Sequence, residues 1–441
     1  MRALSGLGVY VPGRVFVCGK VAPVRAPGRP ASRWQRRVAG AASVVGLAAI
    51  AACGSATPSA RVITWAVGPD RLDAATLAST CTDQAAGKYR VEVEQLPGDV
   101  TARHALLVRR LLARDDSVDV LSLDSSFTNE FASAGFLAPI PTARAATYSE
   151  GIVPSALAAA THGGALVVAP WFYDPQVLWY RGNTAERAGL DTTKPISWDD
   201  LVAGAQRLGV TVEIEDRDGS GLSEWVNALV VGSGGKLISG EGRSAKVGLD
   251  TDAGRGAASI VELYHQSGVG PGPSAEALSR FAGPTGGFLL ASTSAIADPA
   301  LAAVQADMKA APYPAAVDAS IAPVAGIGLA VPAHAKNRAQ AFDVIDCLTS
   351  PTSLQTLMTG PQHSASRLST YQDPAVPTSF RSAEVALTSL ATGVSVPSTP
   401  FWANVIDALD ETWLPISSVT QDETPDASQA EVRAAVEGTL R

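Results

Sequence analysis

Apolar residues recur along this chain with two periods, one typical of strands and one typical of helices. Residues 61–67 (RVITWAV) are β-branched and aromatic, which predicts a buried strand, and residues 89–94 (YRVEVE) alternate as in a half-buried strand. Residues 118–123 (VDVLSL) predict a third strand, and helices are predicted between these strands at 73–84 and 101–113. Strands that alternate with helices in this way predict a parallel α/β sheet.

The rest of the chain continues with shorter segments and one dense aromatic stretch. The predicted features are a helix at 127–134, a hairpin turn at Gly163-Gly164, the aromatic stretch 171–181 (WFYDPQVLWYR), a helix capped by Ser197 with Asp200 three residues later, a segment at 223–232, a strand at 326–331 and a helix at 336–348. Asp124 follows the third strand. Because ligands of open α/β sheets bind beyond the carboxyl ends of the strands, we expect Asp124 in a cleft.

The N-terminal part of the chain carries the pattern of a secretory signal. An apolar run at 38–52 follows a basic cluster at 33–37 and ends in Ile50-Ala51-Ala52-Cys53. At about 15 residues, the run is too short for a comfortable membrane span. Its end resembles the lipobox of bacterial lipoproteins. The alternatives are an uncleaved anchor and a chance alanine-rich stretch.

The lipobox resemblance implies that residues 1–52 are removed and that Cys53 carries a diacylglyceryl group. Residues 53–60 would then form a lipidated tether, and the protein would be anchored by lipid at the outer face of the cytoplasmic membrane. The lead before the basic cluster is longer than an ordinary signal needs. We therefore expect the true start to lie downstream of Met1.

Removal of the signal changes the charge and the cysteine count. The removed segment holds eight Lys or Arg and no acidic residue, so the net charge falls from −8 to −16. An acidic surface repels phosphate backbones, which argues against nucleic acid as a partner. Cys18 is lost with the signal and Cys53 is lipidated. Cys81 and Cys347 remain, and an oxidising compartment favours a disulfide between them over two separately buried thiols.

Several motifs in sequence order resemble the solute-binding proteins of carbohydrate ABC importers. They are AGFLAPIP, GGALVVAPWFYDPQVLWYR, SWDDL and GIGLAVPAHAKNRAQAFDVIDCLTS, and together they cover nearly all of the chain after the signal. The segments DVLSLDSSFTNEFASAGFLAPI and SEWVNALVVGSGGKLIS, with the two cysteines, are most similar to the actinobacterial trehalose-binding lipoproteins.

This resemblance implies a type II periplasmic-binding-protein clamp, in which each of two lobes is a small, mostly parallel sheet flanked by helices. Lobe one would hold 61–169 and 326–350, and lobe two 170–325 and 351–441. A sugar such as trehalose would bind as the lobes close and would be delivered to two permease subunits driven by a separate ATPase. The resemblance implies a monomer with no cofactor, no metal and no enzymatic activity.

A sugar site needs aromatic faces for the C–H side of the ring and planar polar groups for its hydroxyls. Four residues match cleft positions of the family: Asp124, Asp174, Trp225 and Arg367. Relatives carry Asn at the position of Asp174. Trp171 and Tyr173 are expected to face the cleft, because alternate side chains of an extended segment share one face. Asn227, Trp65 and Asp70 are further ligand-binding candidates.

Each main candidate also has an ordinary structural explanation. Asp124 would cap a helix, Asp174 would shape a turn before Pro175, Trp225 would be core, and Arg367 would form a surface ion pair.

One departure from the trehalose-type pattern concerns the ligand. A stacking Trp is expected near 287–292, but this chain has Ser292-Thr293-Ser294 there. The ligand would then be another disaccharide, a sugar phosphodiester or a smaller polyol.

Other chemistry finds little support in the sequence. The five histidines have no metal-ligand spacing, and residues 216–221 resemble a calcium loop without its final Glu. The functional alternatives are a binding-fold lipoprotein that acts as an envelope scaffold or sensor, and an exported glycosidase that uses Asp124 and Asp174.

Overall fold

The computed structural model describes residues 60–240 and 244–439. The predicted signal segment and the lipidation site Cys53 lie outside the described residues. Within the described ranges, no helix is long and apolar enough to cross a bilayer.

Strands and helices alternate along much of the chain. The strands are β1 (Arg61–Val67), β2 (Tyr89–Gln95), β3 (Val120–Asp124), β4 (Thr161–His162), β5 (Ala165–Leu166), β6 (Ala169–Arg181), β7 (Thr211–Glu215), β8 (Ile238–Ser239), β9 (Lys246–Val247), β10 (Pro273–Ser274), β11 (Gly286–Ser292), β12 (Met308–Ala311) and β13 (Val324–Ala330). The helices are α1 (Ala74–Gln84), α2 (Val100–Leu112), α3 (Thr128–Ser133), α4 (Thr142–Ser149), α5 (Pro154–Ala159), α6 (Thr184–Arg187), α7 (Trp198–Leu208), α8 (Gly221–Gly232), α9 (Asp252–Gln266), α10 (Ala277–Ala282), α11 (Arg338–Leu348), α12 (Pro351–Thr359), α13 (Val376–Ser379), α14 (Ala383–Thr392), α15 (Trp402–Trp413) and α16 (Thr424–Val436).

One mixed sheet runs through the molecule in the order β10-β7-β11-β6-β13-β3-β1-β2, and β12 also pairs with β6. Strand β1 is parallel to β2 and β3, and β7 is parallel to β10 and β11. Strands β6 and β13 enter antiparallel to their neighbours. The carboxyl ends of β1, β3, β7 and β11 therefore carry the loops in which α/β sheets hold their ligands.

Strand β6 joins the two parts of this sheet. Its first residues pair with β13, whereas Gln176 to Arg181 pair with β11 and β12. We call β1, β2, β3, β13 and the start of β6 the β1 half, and β7, β10, β11, β12 and the end of β6 the β7 half. Because β6 belongs to both halves, the predicted lobe boundary at 169/170 stays a prediction.

Capping residues explain where α7 begins and ends, and a disulfide joins two other helices. The Ser197 hydroxyl accepts the Asp200 amide at the start of α7, and α7 ends at Gly209 with φ of 63°. Cys81 of α1 and Cys347 of α11 form a disulfide. This confirms the predicted pairing, which joins two helices of the β1 half that lie far apart in sequence.

Candidate functional site

A cavity opens between the two halves, at the carboxyl ends of β3, β7 and β11 and the middle of β6. The empty space between its walls is about 790 Å³, counting the open solvent at its mouth. Its polar side chains are Asp124, Ser125, Ser126, Asp174, Gln176, Glu215, Arg217, Asp218, Ser220, Glu224 and Ser292, and its larger apolar ones are Val100, Phe172, Val324, Ile327 and Val396. A few apolar groups among many polar ones suit a small polyhydroxylated molecule.

Asp124 lies in the cavity wall, as the end of its strand predicted. Arg103 of α2 holds its carboxylate from two nitrogens, with Nε 2.8 Å from Oδ2 and Nη2 3.2 Å from Oδ1. Burial raises the pKa of Asp124 above its usual value, and the charge of Arg103 opposes this shift. The carboxylate caps no helix through its side chain. Ligand binding by Asp124 stays a prediction.

Asp174 also lines the cavity, but its carboxylate is occupied by the protein itself. Its Oδ2 lies 2.6 Å from His363 Nδ1, and its Oδ1 accepts the Ser364 amide at 2.7 Å and the Thr293 hydroxyl at 3.3 Å. Burial raises the pKa of Asp174, but the positive charge and hydrogen bond of His363 outweigh burial, and the pKa lies below its usual value. His363 Nε2 donates to the Asp70 carbonyl at 2.5 Å.

Arg217 lines the cavity from the loop between β7 and α8, and its side chain is 35% exposed. Its nearest carboxylate is that of Asp70, with Nη2 4.0 Å from Oδ1. Among the described residues it makes no hydrogen bond. Burial lowers the pKa of Arg217, but the carboxylates of Asp70, Asp218 and Glu215 raise it by more. The pKa of Arg217 therefore lies above its usual value. This guanidinium is therefore charged and free to donate to a ligand.

Two arginines of the β1 half pair with carboxylates of the β7 half beside the cavity. Arg71, in the loop after β1, lies 2.8 Å from Glu215 and 3.0 Å from Asp298. Arg103 lies 3.5 Å from Asp218, whose backbone carbonyl accepts the Val100 amide at 3.0 Å. The structure is therefore closed by contacts of the protein itself.

Glu224, near the start of α8, is a further acidic group in the cavity wall on the side of the β7 half. Its Oε1 lies 3.0 Å from the Ser220 hydroxyl, and its Oε2 accepts the Gln176 amide at 3.3 Å. Burial and the neighbouring Asp218 raise the pKa of Glu224 to about 8.

The aromatic candidates of β6 face away from the cavity, so their predicted orientation was wrong. Trp171 and Tyr173 are fully buried in the core of the β1 half, where Trp171 Nε1 donates to the Leu348 carbonyl at 3.0 Å. Side chains alternate along this part of β6 as expected, but the even-numbered residues face the cavity and the odd-numbered ones face the core. Phe172, Asp174 and Gln176 share the cavity face.

Trp65 and Trp225 are also core residues. Trp65 donates to the Ser122 hydroxyl at 2.9 Å, and Trp225 packs 5.6 Å from Trp198, measured between ring centroids. Neither lines the cavity. Their large apolar rings belong to the two cores, which for Trp225 is its ordinary structural explanation.

Three polar candidates likewise lie outside the cavity lining. Arg367 donates to the carbonyls of Thr147 and Glu150 at the end of α4, where a cation is favourable. Asn227 is buried and donates to the Ser395 carbonyl at 3.2 Å. Asp70 is buried, and its carboxylate lies 4.0 Å from Arg217. The structure therefore brings together only Asp124 and Asp174 from the predicted set.

The segments that resembled other motifs have structural roles. Asp216 Oδ1 accepts the amides of Gly219 and Gly221 and so shapes the start of α8. No group of three or more His, Cys, Asp or Glu in the described ranges is arranged to hold a metal ion.

Ser292, which stands where the trehalose-type pattern has Trp, lines the cavity. Sequence reasoning missed Gln176, Arg217 and Glu224.

Residues 79–354 match the family model described as bacterial extracellular solute-binding protein. The chain belongs to this family. The solute-binding protein is also 30% identical over 120 residues to the probable ABC transporter-binding protein of Deinococcus radiodurans. That match spans 27% of this chain and 27% of the curated relative, about a quarter of its length. The family binds solutes and does not transform them, in agreement with the expectation that the chain is not an enzyme.

Solved structures place the solute-binding protein in a fold class. Maltose-bound MalE3 of T. maritima is 21% identical, with a TM-score of 0.73 over 85% of this chain and 99% of that chain. The GacH receptor of Streptomyces glaucescens, solved unliganded and with acarbose, is 19% identical, with a TM-score of 0.73 over 86% and 98%. UgpB of Mycobacterium tuberculosis, in complex with glycerophosphocholine, is 21% identical, with a TM-score of 0.72 over 86% and 99%. These likenesses confirm the predicted two-lobed type II clamp.

Proposed function

We propose that this solute-binding protein is the extracytoplasmic substrate-binding subunit of an ABC importer for a sugar or a related polyol. The observation that carries the proposal is the cavity between the halves, which is lined by an unbonded guanidinium, several carboxylates, several serine hydroxyls and Phe172. Polar side chains of this kind hydrogen-bond to the hydroxyls of a polyol, and the apolar groups contact its C–H face.

In the proposed mechanism, the open clamp admits the sugar and closes around it. Arg217 and Asp218 of the β7 half and Ser126 of the β1 half would bind hydroxyls from opposite sides, so that the ligand favours the closed form. The closed form would dock on two permease subunits, and a separate ATPase would drive release. A lipid anchor on Cys53 would keep the receptor at the outer face of the membrane. Cys53→Ser would then move the protein from the membrane fraction to the medium.

The proposed ligand is a disaccharide such as trehalose or a smaller polyol. Proteins of this fold have been solved with maltose, acarbose and glycerophosphocholine, so the fold alone leaves the solute open. Ser292 in place of a stacking Trp favours a ligand that relies more on hydrogen bonds than on ring stacking.

A thermal-shift screen of the soluble chain from Gly54 onward tests the proposal. The panel holds trehalose, maltose, other disaccharides, polyols, glycerophosphodiesters and amino acids. A ligand that binds only the folded state stabilises it by about 2.7 kcal/mol at a hundredfold excess over its Kd. We expect at least one sugar or polyol to raise the melting temperature. A cooperative melt that no compound shifts would contradict the proposal and favour the envelope scaffold.

A further inference from the structure

The charges of the cavity wall are unevenly paired. Five carboxylates line the cavity, and four of them lie within 4.0 Å of a nitrogen of Arg or His. The four pairings are Asp124 and Asp218 with Arg103, Glu215 with Arg71, and Asp174 with His363. Glu224 is the fifth, and no cationic partner lies within that distance among residues 60–240 and 244–439.

The side-chain oxygen of Gln176 is a second, independent observation that points to a ligand donor beside Glu224. Its side chain lines the cavity and is 7% exposed, and its Nε2 donates to Glu224 Oε2 at 3.3 Å. Its Oε1 is buried and has no hydrogen-bond partner in the described part of the chain. A buried acceptor without a donor is costly, so the arrangement favours a ligand that supplies one.

The hydrogen bonds of Ser220 indicate that Glu224 carries a proton. The single hydroxyl proton of Ser220 serves the shorter contact, 2.7 Å to Asp218 Oδ1. The remaining 3.0 Å contact with Glu224 Oε1 then needs a proton from Glu224 itself. Burial, which raises the pKa of Glu224 to about 8, agrees with this state. The charged or titratable groups that face Glu224 are Asp216, Arg217, Asp218 and Tyr313.

We infer that the ligand of this cavity is a cationic polyol, such as an amino sugar, whose ammonium group binds between Glu224 and Gln176 Oε1. This inference rests on the proposed function. An ammonium group offers several N–H donors and one positive charge, so it satisfies Gln176 Oε1 and replaces the proton of Glu224. A hydroxyl group offers one donor and no charge.

The same wall disfavours an anionic ligand. A phosphate would meet one free guanidinium, that of Arg217, among four other carboxylates and the protonated Glu224. Like charges at close range oppose binding, and Arg217 already lies beside Asp70. The cavity should therefore reject phosphodiesters and phosphate esters, although a protein of the same fold binds glycerophosphocholine.

Titration calorimetry with matched probes tests the inference on the purified protein at pH 7. The pairs are glucosamine with glucose and trehalosamine with trehalose, and glycerol 3-phosphate is the anionic probe. We expect the amine of a pair to bind about tenfold more tightly than its hydroxyl counterpart, since a hydrogen bond to a charged group is worth more than a neutral one. Proton release by Glu224 should make the binding enthalpy depend on the ionisation enthalpy of the buffer.

Glu224→Gln keeps nearly the same shape but cannot ionise when the amine binds, so it should abolish both the amine preference and the proton release. Glu384→Gln makes the same substitution at an exposed position of α14 and should keep both. Equal or tighter binding of the neutral sugars or of glycerol 3-phosphate by the unaltered protein would overturn the inference and leave the proposed function standing. No binding by any probe would overturn both.

Discussion

Asp174 connects three separate parts of the chain through one buried carboxylate. Donors come from Thr293, from His363 and from the backbone of Ser364, and His363 in turn donates to the carbonyl of Asp70. A buried acid with this many donors is fixed in place and gains little from a ligand. We therefore assign Asp174 a structural role at the point where β6 passes from one half of the sheet to the other.

Asp174→Asn should lower the free energy of unfolding by about 3 kcal/mol at pH 7, because it breaks a buried pair and leaves His363 without its acceptor. The folded-state pKa of Asp174 lies below its usual 3.8, so the carboxylate stabilises the fold above that pH. Its contribution is lost as the pH falls through the lowered value, and the difference between the two proteins should shrink there. Urea unfolding at several pH values measures this.

Asp191→Asn is the matched control, because Asp191 is an exposed acid. Its effect should stay within about 0.5 kcal/mol. An unchanged unfolding free energy in Asp174→Asn would contradict the structural role.

Sequence reasoning located Asp124 from the end of its strand but misjudged which face of β6 lines the cavity. Twelve of the thirteen residues of β6 are buried, so no apolar and polar alternation distinguishes its two faces. The spacing of Asp174 and Gln176 was the available signal, since two polar residues at i and i+2 in a buried strand share one face. Phe172 belongs to the same set.

At the scale of elements, the sequence predicted the strands and helices whose formation depends on neighbouring residues alone. The strand at 61–67 and the Ser197-capped helix occur as expected, because β-branched runs and N-caps act within a few residues. Strand β7 has the sequence TVEIE, and its Glu213 is 1% exposed because Arg280 pairs with it at 2.8 Å. A sequence does not reveal such a partner, since it comes from a distant helix.

At the scale of the whole molecule, the motif order predicted the two-lobed clamp, but not the contacts that close it. Glu215 and Asp218 lie in the β7 half, and their arginine partners, Arg71 and Arg103, lie in the β1 half. Complementary charge across a cleft follows from the relative position of the two halves, which no local pattern encodes. These ion pairs raise the question of how strongly the protein closes without a ligand.

Arg71 offers the clearest test of closure. Its side chain is 13% exposed and pairs with Glu215 and Asp298 across the cavity, and its backbone has φ of +56°, which is uncommon for a residue other than glycine. Arg71→Ala should remove about 2 kcal/mol from the closed form, since it leaves two acids without their partner. That free energy shifts the equilibrium about thirtyfold towards the open form.

Small-angle X-ray scattering measures this shift as a larger radius of gyration of Arg71→Ala without ligand, and a saturating ligand should reverse the increase. Arg90→Ala is the control, because Arg90 is exposed and pairs with Glu92 of its own strand. High salt should enlarge the unaltered protein less than the substitution does, since partly buried pairs are weakly screened. Identical radii for both variants and the unaltered protein would mean that these ion pairs do not determine closure, and that apolar contacts or the ligand alone hold the halves together.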